Sequence, residues 1–266
     1  MSKITNFLIF LLLLLTNSNS LQQTTQISQC GNGRATYYTT NEYGSCGFGD
    51  ITGKIATAAA DMEIYDVSNA CGICYEVIGE KGSTIVMIAD LCPGCETLKN
   101  TGVIHLDLDE RIFPEVDEIS KGRIDTSIRM VACPVSGNVK LHITETNDSY
   151  FNAFASNYKI GLKSLEVNIN NEGFKEVKRA SHNRFIQGSI SNLNSIKVKL
   201  ISISGQEILC YSGSNIVEGV YECEAQFSAY KFFDIYTREI TSENMKSECC
   251  VKPSLISDLT KCNIKY

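Results

Sequence analysis

Two aspartates, Asp90 and Asp107, are the residues of this chain best placed to do chemistry. Asp90 ends an apolar run, Ile85–Ala89. Asp107 lies between Leu106 and Leu108, so in a strand its side chain points away from both leucines. Two carboxylates facing one groove raise each other's pKa, because both cannot ionise cheaply. One then stays protonated and can donate a hydrogen bond to a glycosidic oxygen. A glycosidase needs that acid, and an inverting one also needs a base across the sugar to activate water. The plainer roles are a structural hydrogen bond for Asp107 and a turn or helix cap for Asp90.

Cysteine is the second chemical signal. Of twelve cysteines, Cys71 and Cys74 form one C-x-x-C pair and Cys92 and Cys95 another, with seventeen residues between the pairs. In a reducing compartment that spacing suits a four-thiolate zinc site. The N-terminus argues for an oxidising one. Lys3 precedes an apolar run from Phe7 to Leu15 and a small-polar exit ending at Ser20, the pattern of a secretory signal peptide over residues 1–20. The run is shorter than the roughly 20 residues a spanning helix needs. Exported thiols are mostly oxidised, so disulfides are expected and metal is not. The expectation is an extracellular protein with no membrane partner after cleavage. Asn147-Asp148-Ser149 is the one N-x-S/T sequon after the signal and makes Asn147 the candidate glycosylation site.

The 266 residues suffice for two domains, and 43% are hydrophobic, which excludes a disordered chain. A net charge of −6 with scattered Lys and Arg offers no basic patch, so nucleic acid is not an expected partner.

The elements that would hold the aspartates are short strands broken by Gly and Asn. They are expected at Ala35–Thr40, Cys74–Ile78, Thr84–Ala89, Ile104–Leu108 and Ser127–Ala132. Asp109–Ile119 reads as a helix with Asp109 as N-cap, Pro114 in the first turn, and Ile112, Phe113, Val116 and Ile119 on one face. The pattern resets at Pro134–Asn138, a linker. Further strands are expected at Val139–Ile143, Leu162–Ile169, Phe174–Lys178, Ile196–Ile203 and Gln206–Tyr211, a spacing that suggests a β-sandwich. Beyond Phe227 there is no strong period.

Five motifs in order resemble the expansin family. Gly33-Arg34-Ala35-Thr36-Tyr37 is similar to the opening strand G-x-A-T-Y. Cys71-Gly72-Ile73-Cys74-Tyr75-Glu76-Val77 is similar to C-G-x-C-[FY]-E-[IV]. Asp90-Leu91-Cys92-Pro93 resembles the D-L-Y-P of bacterial members, and His105-Leu106-Asp107-Leu108 resembles H-F-D-L. Cys133-Pro134-Val135-Ser136-Gly137-Asn138 matches the passage between the family's two domains.

The resemblance implies an all-β protein. A six-stranded double-psi β-barrel over 27–135 is followed by an immunoglobulin-like, cellulose-binding β-sandwich over 139–227, with a cysteine-containing extension at 228–266. It pairs Cys46 with Cys71 and Cys74 with Cys133. A Cys92–Cys95 bridge and a Cys210–Cys223 staple are open, and Cys30, Cys249, Cys250 and Cys262 are unassigned. It places Asp107, Asp90, Thr36 and Tyr38 in the groove. Thr36 would bond a sugar hydroxyl, and Tyr38 would stack on a sugar or lie buried in the barrel. His105 is a core histidine or a ligand contact. Cys92 replaces the groove tyrosine of bacterial members. Tyr150, Phe151 and His182 fall where those members carry a line of sugar-stacking aromatics. This chain has no Trp, and Phe154 reads as core.

Related family-45 endoglucanases carry their base just after the Tyr of the opening strand. Here Thr39 and Thr40 stand there, with Glu42 and Asp50 some residues on. The leading expectation is a secreted monomer, without cofactor or metal, that grips cellulose or a related wall glucan and loosens it without hydrolysis. Two other readings stay open. One is an endoglucanase or lytic transglycosylase using Asp107 as acid. The other is a barwin-like structural or defence protein.

Overall fold

The structure, a computed structural model, describes residues 31–40, 44–49, 55–95, 103–147, 149–188, 193–214 and 216–229. The signal segment, Cys30, Glu42, Asp50, Cys249, Cys250, Cys262 and nearly all of the 228–266 extension lie outside the described residues. Among the described residues no helix is long and apolar enough to cross a membrane.

Six strands close into a barrel: β1 (Gly31–Tyr38), β2 (Ala56–Ala60), β3 (Cys74–Ile78), β4 (Ser83–Leu91), β5 (Ile104–Asp109) and β6 (Ile124–Val131), in the order β1-β5-β2-β4-β3-β6. The pairs β1–β5 and β2–β4 run parallel. Period two sorts the side chains. Ala35, Ala58, Ala60, Ile88, Leu106 and Leu108 are fully buried, while Thr36 and Asp107 between them face outward. β2 was not expected, because alanine is a poor strand former. Its place between β4 and β5 overrides that preference.

The helix expected at Asp109–Ile119 is not formed. The ladder continues to Tyr38↔Asp109, so Asp109 completes β5 instead of capping a helix. A single helical turn follows at Phe113–Val116 with Pro114 at its start, and extended Asp117 ends it. Phe113 and Val116 are buried as expected, whereas Ile119 starts a separate 3-10 turn and is exposed.

Nine strands form two further sheets: β7 (Lys140–Asn147), β8 (Tyr150–Ser156), β9 (Leu162–Ile169), β10 (Phe174–Val177), β11 (Arg179–Ala180), β12 (Arg184–Gln187), β13 (Ile196–Ser202), β14 (Glu207–Gly213) and β15 (Gly219–Glu222). One sheet has the order β11-β12-β8-β7-β15 and the other β10-β9-β13-β14. Leu141, Ile143, Phe151, Leu165, Val167, Phe185, Val198 and Leu200 share one core, the arrangement of a sandwich. The Cys210–Cys223 bridge links β14 to the segment after β15.

The outer face of the larger sheet carries a titratable stack. His142 lies flat on Phe154, with ring centroids 4.3 Å apart, and its Nε2 is 2.7 Å from Ser156 Oγ. Burial pushes its pKa from 6.5 down to about 4, with Lys140 and Arg184 adding to the effect. A depressed folded pKa stabilises above the unfolded value, and that stabilisation is lost as pH falls through the folded one. Between pH 6.5 and about 4, therefore, wild type should lose more stability than His142→Gln. Urea midpoints measured across that range check this, and parallel curves would refute it.

Barrel and sandwich are joined by direct contacts. Tyr158 donates its hydroxyl proton to Cys71 O at 2.8 Å, Arg179 Nη1 donates to Ser68 O at 3.0 Å, and Ser68 Oγ donates to Ala180 O at 3.2 Å. Phe154 reaches the barrel's Phe48, with ring centroids 6.3 Å apart.

Candidate functional site

One transverse row of the barrel gathers the groove residues. Register pairs Thr36 with Asp107 across β1–β5 and Asp107 with Ala59 across β5–β2. It then pairs Ala59 with Asp90 across β2–β4. The last pairing depends on a bulge that skips Ala89 and re-aims Asp90. Ala59 stands between the two carboxylates as a small spacer. Two strand spacings of about 4.8 Å put their backbones roughly 10 Å apart.

Each aspartate has its own donors. Thr36 Oγ1 donates to Asp107 Oδ1 at 2.5 Å. His105 Nε2 is 3.2 Å from the same hydroxyl oxygen. With Asp107 ionised, the Thr36 proton is committed to the carboxylate, so His105 donates to Thr36. His105 is buried and acts through Thr36, as a core histidine would. Asp90 Oδ1 accepts from the Ser45 and Leu91 amides at 2.6 and 2.8 Å, and Oδ2 accepts from Tyr38 Oη at 3.4 Å. Tyr38 is half-buried. Burial first, then Asp90, raises its pKa well above the usual phenol range, so it remains a donor.

Burial raises the pKa of Asp107 above that of an ordinary carboxylate, against the opposing pull of the Thr36 hydrogen bond and His105. The expected mutual repulsion with Asp90 is not the cause, because Ala59 separates the pair.

Sequence reasoning missed Asp109 as a neighbour of this row, having assigned it to a helix cap. Asp109 lies two residues beyond Asp107 on β5, on the same face. It is buried, and its carboxylate is ion-paired to Arg111. Arg111 Nε and N each donate to Oδ1 at 2.9 Å, and Thr40 Oγ1 donates to Oδ2 at 2.9 Å. The Arg111 hydrogen bonds hold its pKa down, outweighing burial. Ser45, Tyr65 and Ala59 were missed as well, and nothing in their local sequence marks them.

The C-x-x-C cysteines are in bridges, Cys46–Cys71, Cys74–Cys133 and Cys92–Cys95, so no four-thiolate centre forms. Cys92 Sγ lies 3.8 Å from Asp107 Oδ2. Bonded to Cys95 it has no proton to donate, and the contact is packing against the acid. Cys92, Cys95 and Asp107 are the one group with metal-ligand spacing among the described residues, and both sulfurs are already bonded.

The expected aromatic line on the sandwich is not formed as drawn. Phe151 is fully buried in the sandwich core and cannot stack on a sugar. Strand period two is the reason, since Phe151 points inward with Ala153 and Ala155 while Tyr150 and Asn152 do not. Tyr150 is half-buried opposite Asn147, the exposed sequon residue. His182 is exposed but sits in the turn between β11 and β12, with Nδ1 3.1 Å from the barrel's Ser45 O. The three residues thus make no common platform.

Residues 1–127 match the expansin N-terminal domain family. Expansin-like protein 2 of Dictyostelium discoideum is 29% identical over 236 residues, 85% of this chain and 57% of the relative. Expansin-like protein 5 of the same organism is 28% identical over 204 residues, 73% of this chain and 84% of the relative. The chain thus spans a little over half the length of the first relative. In fold it is similar to the crystal structure of apo Clavibacter michiganensis expansin, with TM-score 0.66 and 23% identity over 75% of this chain and 98% of the other. A mutant of that expansin, solved in complex with cellohexaose, matches with the same TM-score of 0.66 at 22% identity and the same coverage.

Proposed function

We propose that the chain is an expansin-like protein, that it is secreted and that its barrel groove grips a cell-wall or matrix glucan, cellulose in the first instance, loosening it without cleaving it. The observation that carries this reading is one acid with no free base beside it among the described residues. Asp107 has its pKa raised, and the nearest carboxylate along its strand, Asp109, is engaged by Arg111 and Thr40. Threonines occupy the positions after the opening-strand tyrosines. Protonated Asp107 donates to a sugar oxygen, while Thr36 and Tyr38 fix its surroundings. A groove that binds a twisted, separated glucan segment better than a packed one shifts the population toward the separated state. The crystallised bacterial expansin of the same fold was captured with cellohexaose, which makes a glucan the first ligand to try.

The same reading assigns residues 1–20 to a removed signal, 27–135 to the barrel unit, 139–227 to the sandwich and 228–266 to an extension. The mature protein is a monomer glycosylated at Asn147, beside Tyr150, the one residue of the expected line that keeps a stacking role. Purified protein is to be pulled down on cellulose, chitin and peptidoglycan, with a sugar-release assay in parallel. Retention on cellulose with no new reducing ends and no anhydro-sugars is expected. Release that disappears in Asp107→Ala would establish instead a glycosidase or lytic transglycosylase, the reading that a raised acid pKa also serves.

A further inference from the structure

Asp90 is held in place from across the domain boundary, and we infer that His182 of the sandwich is the positioning residue responsible; the consequence for ligand binding rests on the groove reading above. The chain of contacts is short. Ser45 N–H donates to Asp90 Oδ1 at 2.6 Å. The next peptide is held on both edges. Cys46 N–H donates to Ala89 O at 3.0 Å, and Ser45 O lies 3.1 Å from both Tyr65 Oη and His182 Nδ1. A carbonyl oxygen only accepts, so Nδ1 carries the proton. Two residues on, Arg184 Nη2 donates to Gly47 O at 3.2 Å. One turn of the sandwich therefore grips both ends of the segment 45–47.

The Cys46–Cys71 bridge and the Cys46 N–H bond to Ala89 O tether that peptide on its barrel side, and the donors from Tyr65 and His182 hold its carbonyl edge. Backbone geometry gives the same indication. His182 holds φ 59°, in the left-handed region that non-glycine residues rarely adopt. The barrel turn facing it, Asp66, Val67 and Ser68, has φ of 39°, 50° and 74°. Ser68 bonds Ala180 and Arg179 bonds Ser68, locking the two turns together. Such conformations persist where the surroundings over-determine them.

Two variants of the full-length protein separate the hydrogen bond from the turn. His182→Gly accepts the positive φ and removes the donor. His182→Asn also tolerates that φ and keeps an N–H near the Nδ1 position. Tyr65→Phe removes the second donor from the barrel side. Amide hydrogen exchange at Ser45 should be about tenfold faster in His182→Gly, and affinity for a soluble cello-oligosaccharide should fall by a similar factor, roughly what one hydrogen bond carries. His182→Asn should restore both to within about twofold. Unchanged Ser45 exchange in His182→Gly would overturn the inference. So would a His182→Asn variant as impaired as His182→Gly. If exchange follows the expected order while neither these variants nor Asp90→Ala alters oligosaccharide binding, the positioning stands and the groove reading fails.

Discussion

On the proposed reading, Asp107→Ala should abolish glucan loosening and lower affinity for a soluble cello-oligosaccharide by up to about tenfold, what a hydrogen bond from a neutral acid carries at about 0.5–1.5 kcal/mol. The side chain faces outward between two buried leucines, so its loss opens no core cavity and thermal stability should change little. Asp107→Asn keeps a partner for Thr36 but cannot act as an acid, and it should fall between wild type and alanine. The raised pKa sets a pH signature as well. Binding that needs the protonated acid is strongest below that pKa and weakens as pH rises through it. The falling limb therefore lies above the ordinary carboxylate range and should vanish in Asp107→Asn. Isothermal titration of the three proteins from pH 4 to 8 tests this. Equal affinities throughout would remove Asp107 from the site.

Gly72→Ala should be the most destabilising single methyl that can be added near the domain boundary. Gly72 has φ +77°, and a Cβ there would stand 2.2 Å from Tyr158 Oη and 2.5 Å from Tyr158 Cζ. Tyr158 is buried in the sandwich core and cannot retreat, and its hydroxyl bonds Cys71 O at 2.8 Å. Left-handed backbone strain adds about 1–2 kcal/mol, overpacking about 1–3, and the broken buried hydrogen bond about 1 or more. A loss of roughly 3 kcal/mol or more should lower Tm by about 6–12 °C. Tyr158→Phe alone should cost only the hydrogen bond. Calorimetry of the two variants checks both numbers, and a Gly72→Ala protein melting within a degree of wild type would contradict the packing described.

Local patterns carried many of the strands in both parts of the chain. Cys74–Ile78 and Leu162–Ile169 were expected with the bounds they have, because β-branched alternation between turn residues needs no tertiary context. The family motifs carried two disulfides, Cys46–Cys71 and Cys74–Cys133. Other elements were hidden. Ala56–Ala60 lacks strand propensity and is a strand because β4 and β5 flank it. Asp109 looked like a helix cap and was claimed by the ladder with β1. Phe151 looked like an exposed aromatic beside Tyr150, yet adjacent strand residues face opposite ways, so the two cannot lie on one face.

Residue types and their spacing were enough for oxidised cysteines and for two runs of short strands divided by a linker, because each follows from side-chain chemistry or from a short period along the chain; the groove acids, the absent base and the barrel are what the resemblance to the expansin family implies. Distances between strands were not readable in that way. Folding inserted Ala59 between Asp90 and Asp107, turned Asp109 into an ion pair, and brought His182 from the far domain onto the peptide that holds Asp90. Register, a one-residue bulge and the docking of two domains set these relations, and all three depend on contacts between segments far apart in the chain.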